Sequence, residues 1–119
     1  AAELRKVWDA PRLGVSVTAV RVPVVRGHCL SAWLGFGSPM SPPRARRLLS
    51  AAPGLELSPE GDYPTALSAG GRWPVYAGRL RRGMDDKELC LWVACDNLLK
   101  GAALNSLQIA EVLLKRHWL

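Results

Sequence analysis

Cysteine is scarce in this sequence, and its three cysteines, Cys29, Cys90 and Cys95, follow no recognised pairing or metal-binding pattern. An odd number without a CxxC spacing excludes a disulfide framework and a four-thiolate zinc site. Cys90 and Cys95 stand five positions apart in a predicted strand, so their side chains face opposite sides and cannot pair. We therefore predict reduced, mostly buried cysteines and no metal site.

Long apolar runs are also missing. The longest apolar run without a charge, residues 29–40, has about a dozen residues and contains glycines and a proline, whereas a bilayer crossing needs about 20. We expect no membrane-spanning segment. The first six residues include Glu3, Arg5 and Lys6, which is unlike a signal peptide, so the cytoplasm is the expected location.

The composition is that of a globular domain with many turns. Apolar residues make up 49% and charged residues 22% of the 119 residues, with 11 glycines, 9 prolines and a formal net charge of +6. A chain of this length can build one core. It has no room for a nucleotide-binding domain together with a substrate domain.

Apolar patterning predicts two strands in the first third of the chain. Residues 14–25 are dense in valine on both faces, which is typical of a buried strand. A second apolar strand is predicted over residues 29–36, after the Arg26-Gly27 bend. We expect these two strands to pair with each other around His28.

The rest of the chain alternates predicted helices and strands. Ser41 and the two prolines after it predict the start of a helix over residues 44–52, with Leu48 and Leu49 facing inward. Residues 54–74 are expected to be loop with one short strand, and residues 101–117 a helix that is apolar nearly all round. The predicted strands are residues 55–57, 75–81 and 88–95, the last two forming a hairpin. This order predicts an α+β fold with a mostly antiparallel or mixed sheet and helices on one face.

Two side chains near the first predicted strand suggest binding or catalytic chemistry. Arg21 lies among valines, where a buried guanidinium needs an anionic partner. That partner is either an internal carboxylate or the carboxylate of a small anionic substrate, which the planar guanidinium suits. His28 is either a hydrogen-bonded histidine at a strand end or a general acid and base, because imidazole changes charge near neutral pH.

Small basic clusters offer a different interpretation. Arginines and lysines gather at residues 44–47, 79–82 and 115–116, and such clusters can bind the phosphates of nucleic acid. They lie on different predicted elements, however, and no tryptophan is interleaved with them as a base-stacking platform requires. We interpret them as solvated surface and expect no nucleic-acid binding.

Four strings of the chain resemble a known family. The segment AVRVPV at residues 19–24, followed by Gly27-His28, is similar to the active-site segment of aspartate-semialdehyde dehydrogenases. The strings YPT at 63–65, VYAGRLR at 75–81 and DNLLKGAALNSLQIAE at 96–111 occur in the same order in that family. The resemblance spans residues 15–114.

The resemblance implies a fold, a reaction and site residues. It implies part of a glyceraldehyde-phosphate-dehydrogenase-like catalytic and dimerisation domain over residues 1–97, followed over 98–119 by a helix that in relatives packs on the nucleotide-binding domain. The parent enzyme would interconvert aspartyl phosphate and aspartate semialdehyde with NADP, in amino-acid biosynthesis. Arg21 would bind the substrate carboxylate, His28 would act as acid and base, and Asn97 would lie near the nicotinamide. A homodimer is implied as well.

The family's nucleophile and nucleotide loop have no counterpart in these residues. In relatives a cysteine in an Asn-Cys or Gly-Cys motif precedes this segment, and none of the three cysteines has such surroundings. Removing a nucleophile abolishes the covalent route. We therefore expect the 119-residue chain by itself to be inactive and not to bind NADP. A non-catalytic structural module derived from this fold is the alternative, and a nucleic-acid-binding domain is a second one.

Overall fold

The computed structural model describes residues 1–118, which form a mixed four-stranded sheet with short helices. The sheet order is β1-β4-β3-β2, with β2 parallel to β3 and the other pairs antiparallel. This confirms the predicted α+β class. The strands are β1 (His28–Gly35), β2 (Leu55–Leu57), β3 (Val75–Arg82) and β4 (Glu88–Cys95). The helices are α1 (Ala2–Val7), α2 (Pro42–Ser50), α3 (Ala66–Ala69) and α4 (Leu104–Lys115), and a π-helical turn, Leu99–Ala103, precedes α4.

The predicted hairpin of β3 and β4 is confirmed and forms the centre of the sheet. Its apolar residues supply most of the core, with Ala77, Leu89, Leu91 and Ala94 buried. The pairing register of the two strands shifts between Gly78 and Arg81, so the hydrogen-bond ladder of the hairpin is irregular there. The core therefore lies around β4 and β3, the two strands that have a neighbouring strand on each side.

The valine-rich segment 14–25 is not a strand, so that prediction is wrong. Its backbone is irregular, and Val20 and Val25 are 76% and 104% exposed. The predicted pairing with β1 is also wrong, because β1 pairs with β4 from His28 opposite Cys95 to Gly35 opposite Glu88. A strand needs a neighbour for its backbone hydrogen bonds. Segment 14–25 has none among residues 1–118.

Helix α2 begins as predicted, because the Ser41 hydroxyl accepts a hydrogen bond from the Arg44 amide at 3.4 Å and prolines occupy the first turn. Its buried residue is Ala45, whereas Leu48 is 58% exposed and does not face inward as expected. The predicted short strand at 55–57 is β2. Helix α3, which was expected to be loop, starts at a capping box formed by Thr65 and Ser68.

The C-terminal helix is confirmed over α4, but its expected burial on more than one side is wrong for the described residues. Leu104 is buried, while Leu107, Ile109 and Leu114 are all more than half exposed. The expectation that the cysteines are mostly buried also fails at Cys29, which is exposed because β1 is an edge strand; Cys90 is buried and Cys95 half-buried. No helix within residues 1–118 combines the length and apolar character that a bilayer crossing demands.

Candidate active site

The candidate site lies at the end of the sheet where β1 begins and β4 finishes. His28 is the first residue of β1 and stands opposite Cys95, the last residue of β4. Because the two strands are antiparallel, the residues before His28 meet the residues after Cys95. The Arg26-Gly27 bend therefore lies against the Asp96-Asn97 turn.

Asp96 is a buried carboxylate at this end of the sheet, and it makes several hydrogen bonds. Its side chain is fully buried, and both carboxylate oxygens are engaged. Oδ2 accepts a hydrogen bond from the Gly71 amide at 2.6 Å and forms an ion pair with the Arg26 guanidinium. Oδ1 accepts from the amides of Leu98 at 2.9 Å and Leu99 at 3.2 Å. Four donors therefore surround one carboxylate.

These donors determine the charge state of Asp96. The hydrogen bond from the Gly71 amide is the largest influence that lowers its pKa, and burial opposes it. The Arg26 guanidinium and the amides of Leu98 and Leu99 lower the pKa further, to about 2. Hydrogen bonds to the ionised form favour that form. Asp96 is therefore an anion at neutral pH, and its charge is balanced by Arg26.

Asn97 holds the residue directly before His28. Its Oδ1 accepts a hydrogen bond from the Gly27 amide at 2.7 Å. Gly27 is buried, has a φ of 99°, and passes so close to α3 that a Cβ there would lie 2.9 Å from the Ala66 carbonyl oxygen. Only glycine fits both conditions without strain. The backbone that enters β1 at His28 is thus fixed from two sides.

His28 itself is exposed, and its imidazole makes no hydrogen bond to any residue in 1–118. A fixed backbone with an exposed imidazole does not match the structural alternative, in which a hydrogen-bonded histidine closes a strand. Such a side chain is accessible for proton transfer to a bound molecule. The structure brings His28 and Asn97 together through Gly27.

Arg21 is not buried, which corrects the expectation for it. It is exposed in the irregular segment before Pro23, and across the described part of the chain no ion pair or side-chain hydrogen bond joins it to His28, Asn97 or any carboxylate. The cause is the missing strand, because Arg21 was expected to be enclosed by it. Its guanidinium is left accessible to solvent.

Three residues of the site were not identified from the sequence: Arg26, Gly71 and Asp96. Arg26 was assigned only to a bend, and Gly71 to a loop. Asp96 had a usable signal, since an Asp-Asn pair directly after an apolar strand and before a helix is typical of a side chain that caps backbone amides. Nothing local in the sequence indicates that Asp96 pairs with a residue 70 positions earlier.

Solved structures give the class of protein to which this fold and site correspond. The crystal structure of aspartate semialdehyde dehydrogenase II from Vibrio cholerae, complexed with ASA, superposes with a TM-score of 0.91 at 36% identity, over 96% of this chain and 34% of that one. The fold is therefore that of one part of an aspartate semialdehyde dehydrogenase. The chain belongs to the semialdehyde dehydrogenase dimerisation-domain family, whose model matches residues 1–100.

Curated relatives agree with this assignment. Aspartate-semialdehyde dehydrogenase from Streptomyces akiyoshiensis is 50% identical over 111 residues, which cover 92% of this chain and 32% of that protein. A USG-1 protein homolog from Azotobacter vinelandii is 46% identical over 116 residues, which cover 96% of this chain and 34% of that protein. The chain thus spans about a third of the length of the curated relatives it matches. A nucleic-acid-binding domain is not favoured.

Proposed function

We propose that this chain supplies site residues and a dimer interface to an aspartate-semialdehyde dehydrogenase-like oxidoreductase, in which NADP serves the interconversion of aspartyl phosphate and aspartate semialdehyde. One observation carries the proposal. In a chain of this family, the Asp96-Asn97 turn fixes Gly27 through the Asn97 side chain and so presents an exposed histidine at the end of the sheet. The cytoplasm remains the expected location.

His28 is the proposed general acid and base. Its backbone is held while its imidazole is exposed and without a hydrogen bond to residues 1–118. A proton can therefore be exchanged at a ring nitrogen with a nucleophile or leaving group placed beside the strand end. The nucleophilic thiol itself has no counterpart in this chain, which is why the chain alone is expected to be inactive.

Arg21 is the proposed ligand of the substrate carboxylate. Its guanidinium is exposed and has no carboxylate partner in residues 1–118, so its fork is available to bind a carboxylate with two parallel hydrogen bonds. The surrounding segment 14–25 is apolar and unpaired in the described structure. We propose that this segment packs against the parts of the parent enzyme that enclose the substrate.

Asn97 is the proposed contact for the nicotinamide of NADP. Its Oδ1 is occupied by the Gly27 amide at 2.7 Å, which leaves the side-chain NH₂ group as a donor suited to a carboxamide oxygen. When bound, NADP supplies hydride transfer. Asn97 would orient the ring, and the remaining contacts would come from the nucleotide-binding domain of the parent enzyme.

The exposed apolar surfaces fit two partners. Several valines of segment 14–25 and two leucines of α4, Leu107 and Leu114, are about half exposed or more, and exposed apolar side chains that lie together mark surfaces for a partner. We propose a second copy of the chain as one partner, through the dimerisation domain at residues 1–97. The nucleotide-binding domain of the parent enzyme is the other, packed on residues 98–119.

A chimera tests the proposed activity. The matched third of the Streptomyces akiyoshiensis enzyme is replaced by this chain, and NADPH formation from aspartate semialdehyde and phosphate is measured. We expect turnover from the chimera and none from the isolated chain. His28→Gln should lower kcat by a factor of about 100 or more, Arg21→Met should mainly raise KM for the semialdehyde, and Asp86→Asn, at an exposed position, serves as the control.

The outcomes separate the candidate functions. A chimera that folds and dimerises like the parent but shows no turnover would favour the non-catalytic structural module. Equal losses in the His28→Gln and Asp86→Asn variants would contradict the role given to His28. Circular dichroism and molar mass in solution establish folding and dimerisation before activity is compared.

A further inference from the structure

We propose that Asp96, acting through Arg26 and the Asp96-Asn97 turn, is a positioning residue that holds Gly27 and His28 in place for the reaction. The catalytic part of this inference rests on the proposed function. The structural part, that Asp96 fixes the Arg26–His28 backbone, can be tested on the chain itself.

The first step concerns the division of work between the two carboxylate oxygens of Asp96. Oδ1 accepts the amides of Leu98 and Leu99 and so caps the turn that leads into α4. A cap needs no more than this oxygen. Oδ2 instead contacts residues that come much earlier in the sequence: it accepts a hydrogen bond from the Gly71 amide and forms the ion pair with Arg26. The second oxygen therefore has a role that helix capping does not explain.

The second step concerns what Oδ2 holds. Arg26 is bound by Asp96, and the next residue, Gly27, is bound by Asn97. Two consecutive residues before β1 are thus tied to two consecutive residues after β4, and His28 follows directly. Moving either tie would change the direction in which the backbone enters β1 and hence the position of the imidazole.

The third step concerns the far side of Gly27. The Gly71 amide that binds Asp96 belongs to the loop after α3. Helix α3 in turn lies against Gly27, where a Cβ would come within 2.9 Å of the Ala66 carbonyl oxygen. Gly27 lies between the Asn97 side chain and helix α3. Asp96 therefore helps to fix the structure on both sides of Gly27.

Burial distinguishes the two members of the Arg26–Asp96 ion pair. Asp96 is fully buried with all of its contacts internal, whereas the Arg26 side chain is 41% exposed. Because the carboxylate is the buried member of the pair, loss of Arg26 would leave its charge with only three backbone amides as partners. We therefore expect loss of the ion pair to disturb the backbone most at Gly27 and His28, the two residues that follow Arg26.

Amide hydrogen exchange on the full 119-residue chain tests the link. In Asp96→Asn we expect the Gly27 amide to exchange about tenfold faster relative to the Leu91 amide in the central hairpin, the factor for the loss of about one hydrogen bond. Arg26→Met should give a similar change, and Arg26→Lys, which keeps the charge, should restore part of the protection. Asp86→Asn and Arg47→Met, at exposed positions, are the matched controls.

A purely structural role would give a different pattern. Faster exchange at Gly27 and Leu91 by the same factor would overturn the proposal, because it would mean that Asp96 contributes only to global stability. If Asp96→Asn does not fold, Arg26→Met decides, since it leaves three of the four Asp96 contacts in place. A double variant that is no worse than Asp96→Asn would support direct coupling of the two residues.

The chimera tests the catalytic part separately. Asp96→Asn is expected to lower kcat by about tenfold or more with little change in KM for the semialdehyde, because one positioned group is displaced without loss of a substrate contact. Faster Gly27 exchange with undiminished kcat would overturn the positioning role. A wild-type chimera without turnover would instead contradict the proposed function, while the exchange result on the chain would still stand.

Discussion

The β3–β4 hairpin and segment 14–25 have similar apolar sequences but different structures. In the hairpin, Leu89 and Ala94 are almost completely buried, whereas Val20 and Val25 in the segment are largely exposed. The difference is the neighbour: β4 has a strand on each side, and segment 14–25 has none among residues 1–118. An apolar pattern therefore reports a preference for burial, and a strand forms only where another backbone accepts and donates its hydrogen bonds.

The largest effect expected from this comparison is the loss of a large core side chain. Leu89 is 2% exposed, so Leu89→Ala should lower the free energy of unfolding by about 2–5 kcal/mol. Val20→Ala, in the exposed segment, should change it by no more than about 0.5 kcal/mol. Urea denaturation measures both. Equal losses would mean that segment 14–25 is packed in solution.

The second prediction compares two glycines, one at the candidate site and one in the exposed segment. Gly27→Ala should cost about 1–3 kcal/mol, since its φ is 99° and a Cβ would meet the Ala66 carbonyl oxygen at 2.9 Å. Gly14→Ala should cost almost nothing, because no atom lies within 4 Å of a Cβ there. Thermal denaturation gives the comparison. A stable Gly27→Ala variant would contradict the close approach of α3.

A smaller effect is expected from the hydrogen bond that ties the loop before α3 to the hairpin. The Trp92 indole donates to the Pro64 carbonyl oxygen at 2.7 Å, so Trp92→Phe should cost about 1 kcal/mol. Trp118→Phe is the control, because Trp118 is 66% exposed. If both variants unfold at the same urea concentration, the Trp92 bond contributes nothing measurable.

The last prediction concerns the loss of stability in acid, below about pH 4. The pKa of Asp96 is about 2 in the folded chain, below its ordinary value of 3.8. The stability linked to this difference is present above about pH 4 and is lost as the pH falls to about 2. The thermal midpoint of the natural chain should fall in that window more steeply than that of Asp96→Asn. Asp86→Asn should keep the steeper fall, and identical slopes for all three would contradict the assigned pKa.

Short sequence patterns predicted the helices and strands that are determined by neighbouring residues in the sequence. The hairpin follows from two apolar runs with a polar connection, and α2 from Ser41 and its prolines. The order of strands was not predictable in the same way. The pairing of β1 with β4 joins residues 67 positions apart, from His28 to Cys95, and no local pattern distinguishes this neighbour from segment 14–25. Apolar density there suggested the wrong partner.

The candidate site was predictable only in part for the same reason. His28 was a candidate from its own chemistry and from the family resemblance, and Asn97 from the resemblance alone. Asp96 and Arg26, in contrast, are connected by a contact across the fold. Arg21 was expected to be buried because its strand was expected to form. A single wrong strand thus changed the predicted surroundings of one site residue while leaving the position of His28 at a strand start nearly correct.

The hydrogen bond from Gly27 to Asn97 and the ion pair of Arg26 with Asp96 each join residues 70 positions apart. During synthesis on the ribosome, His28 therefore emerges long before the side chains that fix its backbone exist. Neither tie can form until the chain has been translated past residue 97. A nascent or prematurely terminated polypeptide would carry the histidine without the geometry that makes it useful.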